Sequence, residues 1–492
     1  MKIILDRRSS EPVYLQIRNR IRHLIEAEKL QAGDRLPSIR ALAEATQVNK
    51  LTVIEAYSML EADGLIYARP GAGYFVYEQS IETPVPATFA PRQEVIIPET
   101  REMSYFEICT AVGHANLQED VINFASGFPM IGAVEDLQRI ARRAVKGVGD
   151  ELFRYDFPQG QIGLRKQIAQ LLLHKGLEVS PEELIVTNGS MQGLSLTMQH
   201  YLKPGDWAIV ESPNYHGALA VLQGIGARVI GIPMTPDGMN LMLLEQYLRS
   251  HRPKLIYTIS TLHNPTGITT SQPHRQQLLA LAEQYDCVVL EDNAYEGLSF
   301  EAVPPPIKAI DRSDPTGISK AGRVIYLGTF SKTLMPGLRV GYMVVTGTAY
   351  QALLERKLLS DLCVSTVSQA IVSEYLATGH YRRYLNQLRT QNLTNRNTML
   401  KALERYFPQE ATWTVPNGGL FLWVTLPEGL PMQAICHAAA LQKVFIVPGS
   451  TFFPNQQGYP ALRLNFSQSP EAIEQGIRIL GDLLKTRMKR CS

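Results

Sequence analysis

Between residues 184 and 345 the chain repeats one pattern: a short apolar run rich in β-branched residues, then a polar segment, then a helical stretch. The apolar runs are 184–187, 207–210, 255–259, 288–290, 324–327 and 339–345. Runs that are apolar at every position are buried on both faces. Alternation with helices therefore predicts an α/β body with a mostly parallel sheet covered on both sides. In such sheets ligands bind beyond the C-terminal ends of the strands, so the polar segments there are the first places to look for chemistry.

Bulk properties narrow the classes. The 492 residues allow two to four domains, and 45% hydrophobic with 19% charged residues is an ordinary globular balance. No apolar run reaches 18 residues, so no membrane span is expected. The stretch after Met1 is too short to read as a signal peptide. Cysteines at 109, 287, 363, 436 and 491 show no C-x-x-C spacing, which argues against a disulfide framework or a zinc site and suits a reducing cytoplasm. Net charge is +2, and residues 1–79 carry eleven Lys and Arg against ten acids. Any nucleic-acid binding must come from a local basic face.

Lys332 follows the run 324–327 within the segment Gly328–Arg339. A lysine at the end of a buried strand is costly unless chemistry uses it, and one use is an imine with pyridoxal 5'-phosphate. Other strand ends supply possible partners. Residues 188–193 open a helix, where amides, Ser190 and Gln192 can hold a phosphate. Tyr215 offers an aromatic face, or is simply a loop aromatic. Residues 263–267 form a turn that aims the Asn264 amide. Asp292, after the run 288–290, either caps a helix or meets a protonated pyridine nitrogen. Arg339 can pair with a phosphate. Arg463, inside an apolar strand, reads either as half of a buried ion pair or as a clamp for a substrate carboxylate. Independent loops at matching positions on successive strands supply the whole set.

With Asn264-Pro-Thr-Gly267, Asp292-x-x-Tyr295 and Ser331-Lys332-x-x-x-Pro-Gly-Leu-Arg339 intact, residues of about 110–485 resemble the fold type I, class I aminotransferases. That resemblance implies a smaller C-terminal α+β subdomain beside the main sheet. It makes Lys332 the lysine joined to the cofactor and places Asp292 on the pyridine nitrogen. Asn264 and Tyr295 then hold the phenolic oxygen, with Tyr215 stacked on the ring. Ser190, Gln192, Thr329 and Arg339 surround the phosphate. Tyr155 corresponds to a tyrosine lent across a dimer interface, and Gly127 and Arg463 face the substrate carboxylate. Met191 departs from the polar residue frequent at its position.

The first 78 residues read differently. Pro12 starts an amphipathic helix with Tyr14, Ile17, Ile21 and Leu24 on one stripe, broken by Gly33. Ser38 caps a second helix carrying Ile39, Leu42 and Ala43 inward, and Asn49 caps a third with Val53, Tyr57 and Leu60 inward, ended by Gly64. Residues 65–67 and 74–77 form a hairpin about a Gly/Pro tip. This order, together with Leu36–Ala43, Thr52–Tyr57 and Leu60–Gly64, resembles the GntR winged helix-turn-helix. The resemblance implies base and phosphate contacts from Asn49, Lys50 and Thr52, backbone contacts from Arg35, Ser38 and Arg40, and a wing from Arg69 through Gly71 to Gly73 near the minor groove. Leu51 departs from the small polar residue usual there. A protein-docking three-helix domain is the competing reading.

The expected division is 1–78 for the head, 79–103 for a Pro-containing linker and 104–492 for the body. Fully extended, the linker reaches about 80 Å at ~3.3 Å per residue. A GntR head on an aminotransferase-like body resembles the MocR group of bacterial regulators. This implies a cytoplasmic homodimer, possibly with swapped heads, that binds double-stranded operator DNA, pyridoxal 5'-phosphate and an amino effector. A working aminotransferase with a DNA-binding head stays open, because the lysine needed for sensing is also the base needed for turnover. A pyridoxal-binding protein without DNA contact is the third option.

Overall fold

The computed structural model describes residues 5, 12–27, 29–63, 65–69, 73–77, 105–118, 120–129, 134–311, 322–454 and 458–491. The proposed linker, Gly64 and the wing-tip Gly71 lie outside them. Packing divides the chain into two units: Met1–Thr88 with Met242–Arg252, and Phe89–Leu241 with Pro253–Ser492.

Within the first unit, helices Val13–Glu26, Ile39–Thr46 and Lys50–Ala62 precede an antiparallel hairpin of Ile66–Arg69 and Gly73–Val76. The caps are the expected ones. The Ser38 hydroxyl accepts from the Ala41 amide at 3.2 Å, and Asn49 Oδ1 accepts from the Leu51 amide at 3.1 Å. Ile17, Ile21, Leu42, Val53, Tyr57 and Leu60 form the core between helices and hairpin, while Tyr14, Leu24 and Ile39 are half-buried at its edge. Tyr57 meets its polar need by donating to the Pro37 carbonyl at 2.7 Å. One boundary differs from the sequence reading. The first helix ends at Glu26, and Gly33 instead takes a φ of 82° in the turn beyond it, where its amide donates to the Val76 carbonyl at 2.9 Å. That glycine joins helix to wing rather than stopping the helix.

In the second unit eight strands form one sheet. In spatial order they are Leu184–Thr187, Gly341–Val344, Val324–Thr329, Val288–Asp292, Leu255–Thr258, Trp207–Ser212, Arg228–Thr235 and Gly238–Met239. The five from Val324–Thr329 to Arg228–Thr235 run parallel, and pairings outside them are antiparallel. Alternate residues enter separate clusters: Leu184, Val186, Tyr326 and Val344 in one, Ile185, Ile325, Leu327, Met343 and Val345 in the other. The period of two thus buries both faces under helices. Two strand ends run further than their apolar runs: Val288–Asp292 carries Asp292 as its last residue, and Val324–Thr329 includes Thr329. Arg228–Thr235 was hidden by Gly231 and Pro233. A smaller antiparallel sheet of Thr412–Trp413, Phe421–Thr425 and Ala461–Asn465 packs with Met432–Leu441 and Pro470–Cys491 around its own core.

Candidate functional site

A cleft opens beyond the C-terminal ends of the parallel strands. Its lining includes Ser190, Met191, Tyr215, Asn264, Asp292 and Tyr295, completed by Ile259, Ala294, Thr329, Ser331, Lys332 and Arg339. Residues far apart in sequence converge because each sits at or just past a strand end.

Lys332 lies in the turn after Val324–Thr329, and its Nζ donates to the Gly127 carbonyl at 2.8 Å. The Tyr295 hydroxyl reaches the same carbonyl at 3.3 Å, so Gly127 belongs to the cleft wall. Burial holds the Lys332 amine down to about 8, helped by the Arg463 and Arg339 guanidiniums and opposed by Asp292. Asp292 is 5% exposed; Tyr257 donates to its Oδ2 at 2.9 Å, and its Oδ1 has no hydrogen-bond partner. Burial pushes this carboxyl up to about 6, which the Tyr257 hydroxyl partly offsets. An unsatisfied buried carboxylate oxygen is expensive, and a ring N–H donor would satisfy it.

Opposite lies an anion cradle. Helix Ser190–Tyr201 begins after Gly189 without a side-chain cap, so its first amides are available to an anion. Arg339, at a φ of 52°, reaches Ser331 Oγ at 3.2 Å and the Asn188 carbonyl at 3.1 Å. Gly189, which caps this helix, sits at a φ of 77°, the left-handed region that favours glycine. Thr329 Oγ1 lies 3.1 Å from Ser331 Oγ. Gln192 does not join them: its Oε1 accepts from the Asn188 amide at 2.9 Å and its Nε2 turns to Ser360 at 3.4 Å. Its side chain braces the loop. Ser331 is the hydroxyl the sequence reading left unassigned, although it directly precedes Lys332.

Arg463 is 2% exposed, between the rings of Phe421 and Phe452 at 4.2 and 4.9 Å. It donates to Asn264 Oδ1 at 3.1 Å and to the Ala125 carbonyl, while its Nε has no partner. Among the described residues no carboxylate pairs with it. Burial holds this guanidinium down to about 10. Because arginine only donates, Asn264 must turn Oδ1 toward it, which leaves the Asn264 N–H donors for another acceptor. Tyr215 is held by its backbone N–H, which donates to Asn214 Oδ1 at 2.5 Å, and by its hydroxyl near Met191 Sδ at 3.5 Å. Tyr155 is 85% exposed and does not line the cleft of its own chain.

These donors fit pyridoxal 5'-phosphate: an amine for the aldehyde, an unpaired carboxylate oxygen for the ring nitrogen, an amide for the phenolic oxygen and an anion cradle for the phosphate. In the first unit, Arg35, Arg40, Asn49, Lys50 and Arg69 are exposed, as is Ser38; Thr52 is half-buried. Arg40 pairs with Glu44 at 3.1 Å, an exposed contact worth little to stability. Leu51 is 69% exposed and Ile54 40% on the third helix, apolar surface that no internal packing explains.

Residues 119–480 match the family model for aminotransferase class I and II, and residues 13–76 match that for bacterial regulatory proteins of the gntR family. The uncharacterized HTH-type transcriptional regulator YdcR of Escherichia coli is 32% identical over 96% of this chain and 99% of its own length. Aromatic-amino-acid aminotransferase 1 of Thermococcus litoralis is 35% identical over 75% of this chain and 89% of its own. LysN, an alpha-aminoadipate aminotransferase of Thermus thermophilus solved with N-(5'-phosphopyridoxyl)-L-leucine, superposes with a TM-score of 0.71 at 34% identity, covering 78% of this chain and 98% of that one. The chain belongs to the class I and II aminotransferase family, in the branch of HTH-type transcriptional regulators that carry a GntR head, the MocR type. Among the described residues no helix is long and apolar enough to cross a membrane.

Proposed function

We propose that this regulator carries pyridoxal 5'-phosphate on Lys332 and reads a carboxylate-bearing amino compound through Arg463. The observation that carries the reading is the buried, unpartnered Oδ1 of Asp292 in the same cleft as Lys332. When bound, the cofactor supplies an electron sink for bonds at an amino-bearing carbon. The protein supplies everything else. Lys332, held near 8, is neutral often enough at physiological pH to attack an aldehyde and to move a proton. Asp292 keeps a proton on the ring nitrogen, Tyr215 covers one ring face and Asn264 donates to the phenolic oxygen. Ser190, Thr329 and Arg339 hold the phosphate, with Gln192 acting only through the loop it braces. Gly127 leaves room beside Lys332 for the substrate carboxylate that Arg463 receives.

The head contacts operator DNA with the early residues of its third helix, Asn49, Lys50 and Thr52, and with Arg35, Ser38, Arg40 and the wing Arg69 to Gly71. Residues 1–78 form this head, 79–103 the linker and 104–492 the body, and the protein works in the cytoplasm. Phe153, Tyr155 and Phe157 are 81%, 85% and 75% exposed, apolar surface that a second copy would cover; this supports a homodimer in which Tyr155 reaches the partner's phosphate. Bound effector then favours one arrangement of the heads only as far as it binds that arrangement more tightly. The neutral fraction of Lys332 also favours a second reading, genuine transamination. Borohydride reduction with excess cofactor, followed by peptide mapping, tests the core claim. Label on Lys332, lost in Lys332→Ala, is expected; label elsewhere, or none, overturns it.

A further inference from the structure

Glu211 is 1% exposed at the end of strand Trp207–Ser212 and does not line the cleft, yet it joins two segments that do, the one after its own strand and the one after Leu255–Thr258. Its Oε2 accepts from Asn214 Nδ2 at 2.8 Å, and Asn214 Oδ1 in turn fixes the Tyr215 amide. Its Oε1 accepts from the Ile259 amide at 3.1 Å and from the Thr258 hydroxyl, pinning the strand end from which Ile259 enters the cleft. His263, fully buried, brings Nε2 to 3.8 Å from Oε2. His263 Nδ1 lies 2.8 Å from the Thr266 hydroxyl, which fixes the ring within the turn that carries Asn264. His263 Nε2 has no hydrogen-bond partner, so the ring meets Glu211 by packing, and its neighbour in sequence is Asn264, which Arg463 holds.

We propose that Glu211 is a positioning residue that sets the Tyr215 face and the Asn264–Arg463 clamp together, so that cofactor stacking and carboxylate capture depend on one buried carboxylate. This rests on the function proposed above. The neighbourhood suits an ionised glutamate: an amide N–H2, a backbone N–H and a hydroxyl all donate to it. Burial pushes its pKa up to about 7, and those donors pull against that rise. Leu keeps much of the volume but removes both acceptor oxygens, so each arm loses its anchor.

The test uses the full-length protein loaded with pyridoxal 5'-phosphate, with L-leucine and 3-methylbutylamine, the same side chain without the carboxylate, as probes. Three quantities are read: cofactor affinity from the visible absorption, the ratio of leucine to amine affinity, and the melting temperature of the cofactor-free protein. Glu211→Leu should weaken cofactor binding about tenfold and cut the leucine-to-amine ratio about tenfold, as expected when about one anchoring hydrogen bond is lost on each arm. Asn214→Ala should affect the first and spare the second; His263→Gln should lower the second more than the first. Affinities within twofold of wild type in Glu211→Leu, or a lower melting temperature with an unchanged ratio, overturn the proposal. If Glu211→Leu does not fold, the two single-arm variants decide, and absence of their split overturns it. A wild-type protein that never forms the absorbing species defeats the underlying function, and this inference with it.

Discussion

The protonation of Lys332 gives a prediction that needs no cofactor at all. Burial and two guanidiniums hold its amine to about 8 instead of 10.5. At pH 7 such an amine is neutral in ~9% of molecules, against ~0.03% for an ordinary lysine, a ratio of ~300. Only the neutral form attacks an electrophile. We expect a small uncharged amine reagent such as fluorodinitrobenzene, applied to cofactor-free protein and followed by peptide mapping, to label Lys332 at a rate that rises about tenfold per pH unit up to roughly 8 and then levels. Asp292→Asn removes the one carboxylate that favours the charged amine, so the break should move to lower pH. Arg463→Met removes a repelling charge and should move it higher. A rate that climbs with unit slope to pH 10, or a break indifferent to both substitutions, refutes the electrostatic account of this lysine.

The other predictions concern separate parts. Asp292 has a folded pKa raised from 3.8 to about 6, so the folded chain holds this proton too tightly and loses stability as pH rises through that window. Cofactor-free Asp292→Asn should therefore gain about 3 kcal/mol over wild type at pH 7 and nearly nothing below pH 4, checked by urea unfolding; an equal gain at both pH values contradicts the sign. Lys50→Ala should weaken DNA binding and lower the salt slope by about one, measured by titration at several salt concentrations; an unchanged slope removes its phosphate contact. Arg463→Ala should impair carboxylate-bearing ligands while the cofactor still binds, read by absorption. Equal loss of both assigns it a folding role.

The sheet was readable because its central strands are apolar at every position, a pattern water-facing segments cannot sustain. The strand Arg228–Thr235 was not, since Gly231 and Pro233 read as breakers. Yet Gly231 is needed where Pro454 and Ser212 press close, at 2.8 and 3.2 Å from a Cβ placed there. Caps at Ser38 and Asn49 could be read because their chemistry is local. The end of the first helix could not, because Gly33 is recruited by a hydrogen bond to Val76, 43 positions away. In the cleft, residues at strand ends were legible as a set. The turn of Gln192 toward Asn188 and Ser360 was not legible because motif position does not fix a rotamer, and Ser331 and Tyr257 were missed because they act on Arg339 and Asp292 rather than standing alone.

One measurement bears most directly on the idea that a small molecule in the body governs a DNA-binding head. The purified protein should be titrated with amino acids in the presence of pyridoxal 5'-phosphate while the visible spectrum and the affinity for DNA upstream of its own gene are recorded on the same sample. The expected result is an amino acid whose occupancy, seen in the spectrum, tracks a change in DNA affinity, with both responses absent in Lys332→Ala. Spectral occupancy that leaves DNA affinity unmoved across every amino acid, or a DNA response that survives in Lys332→Ala, contradicts it.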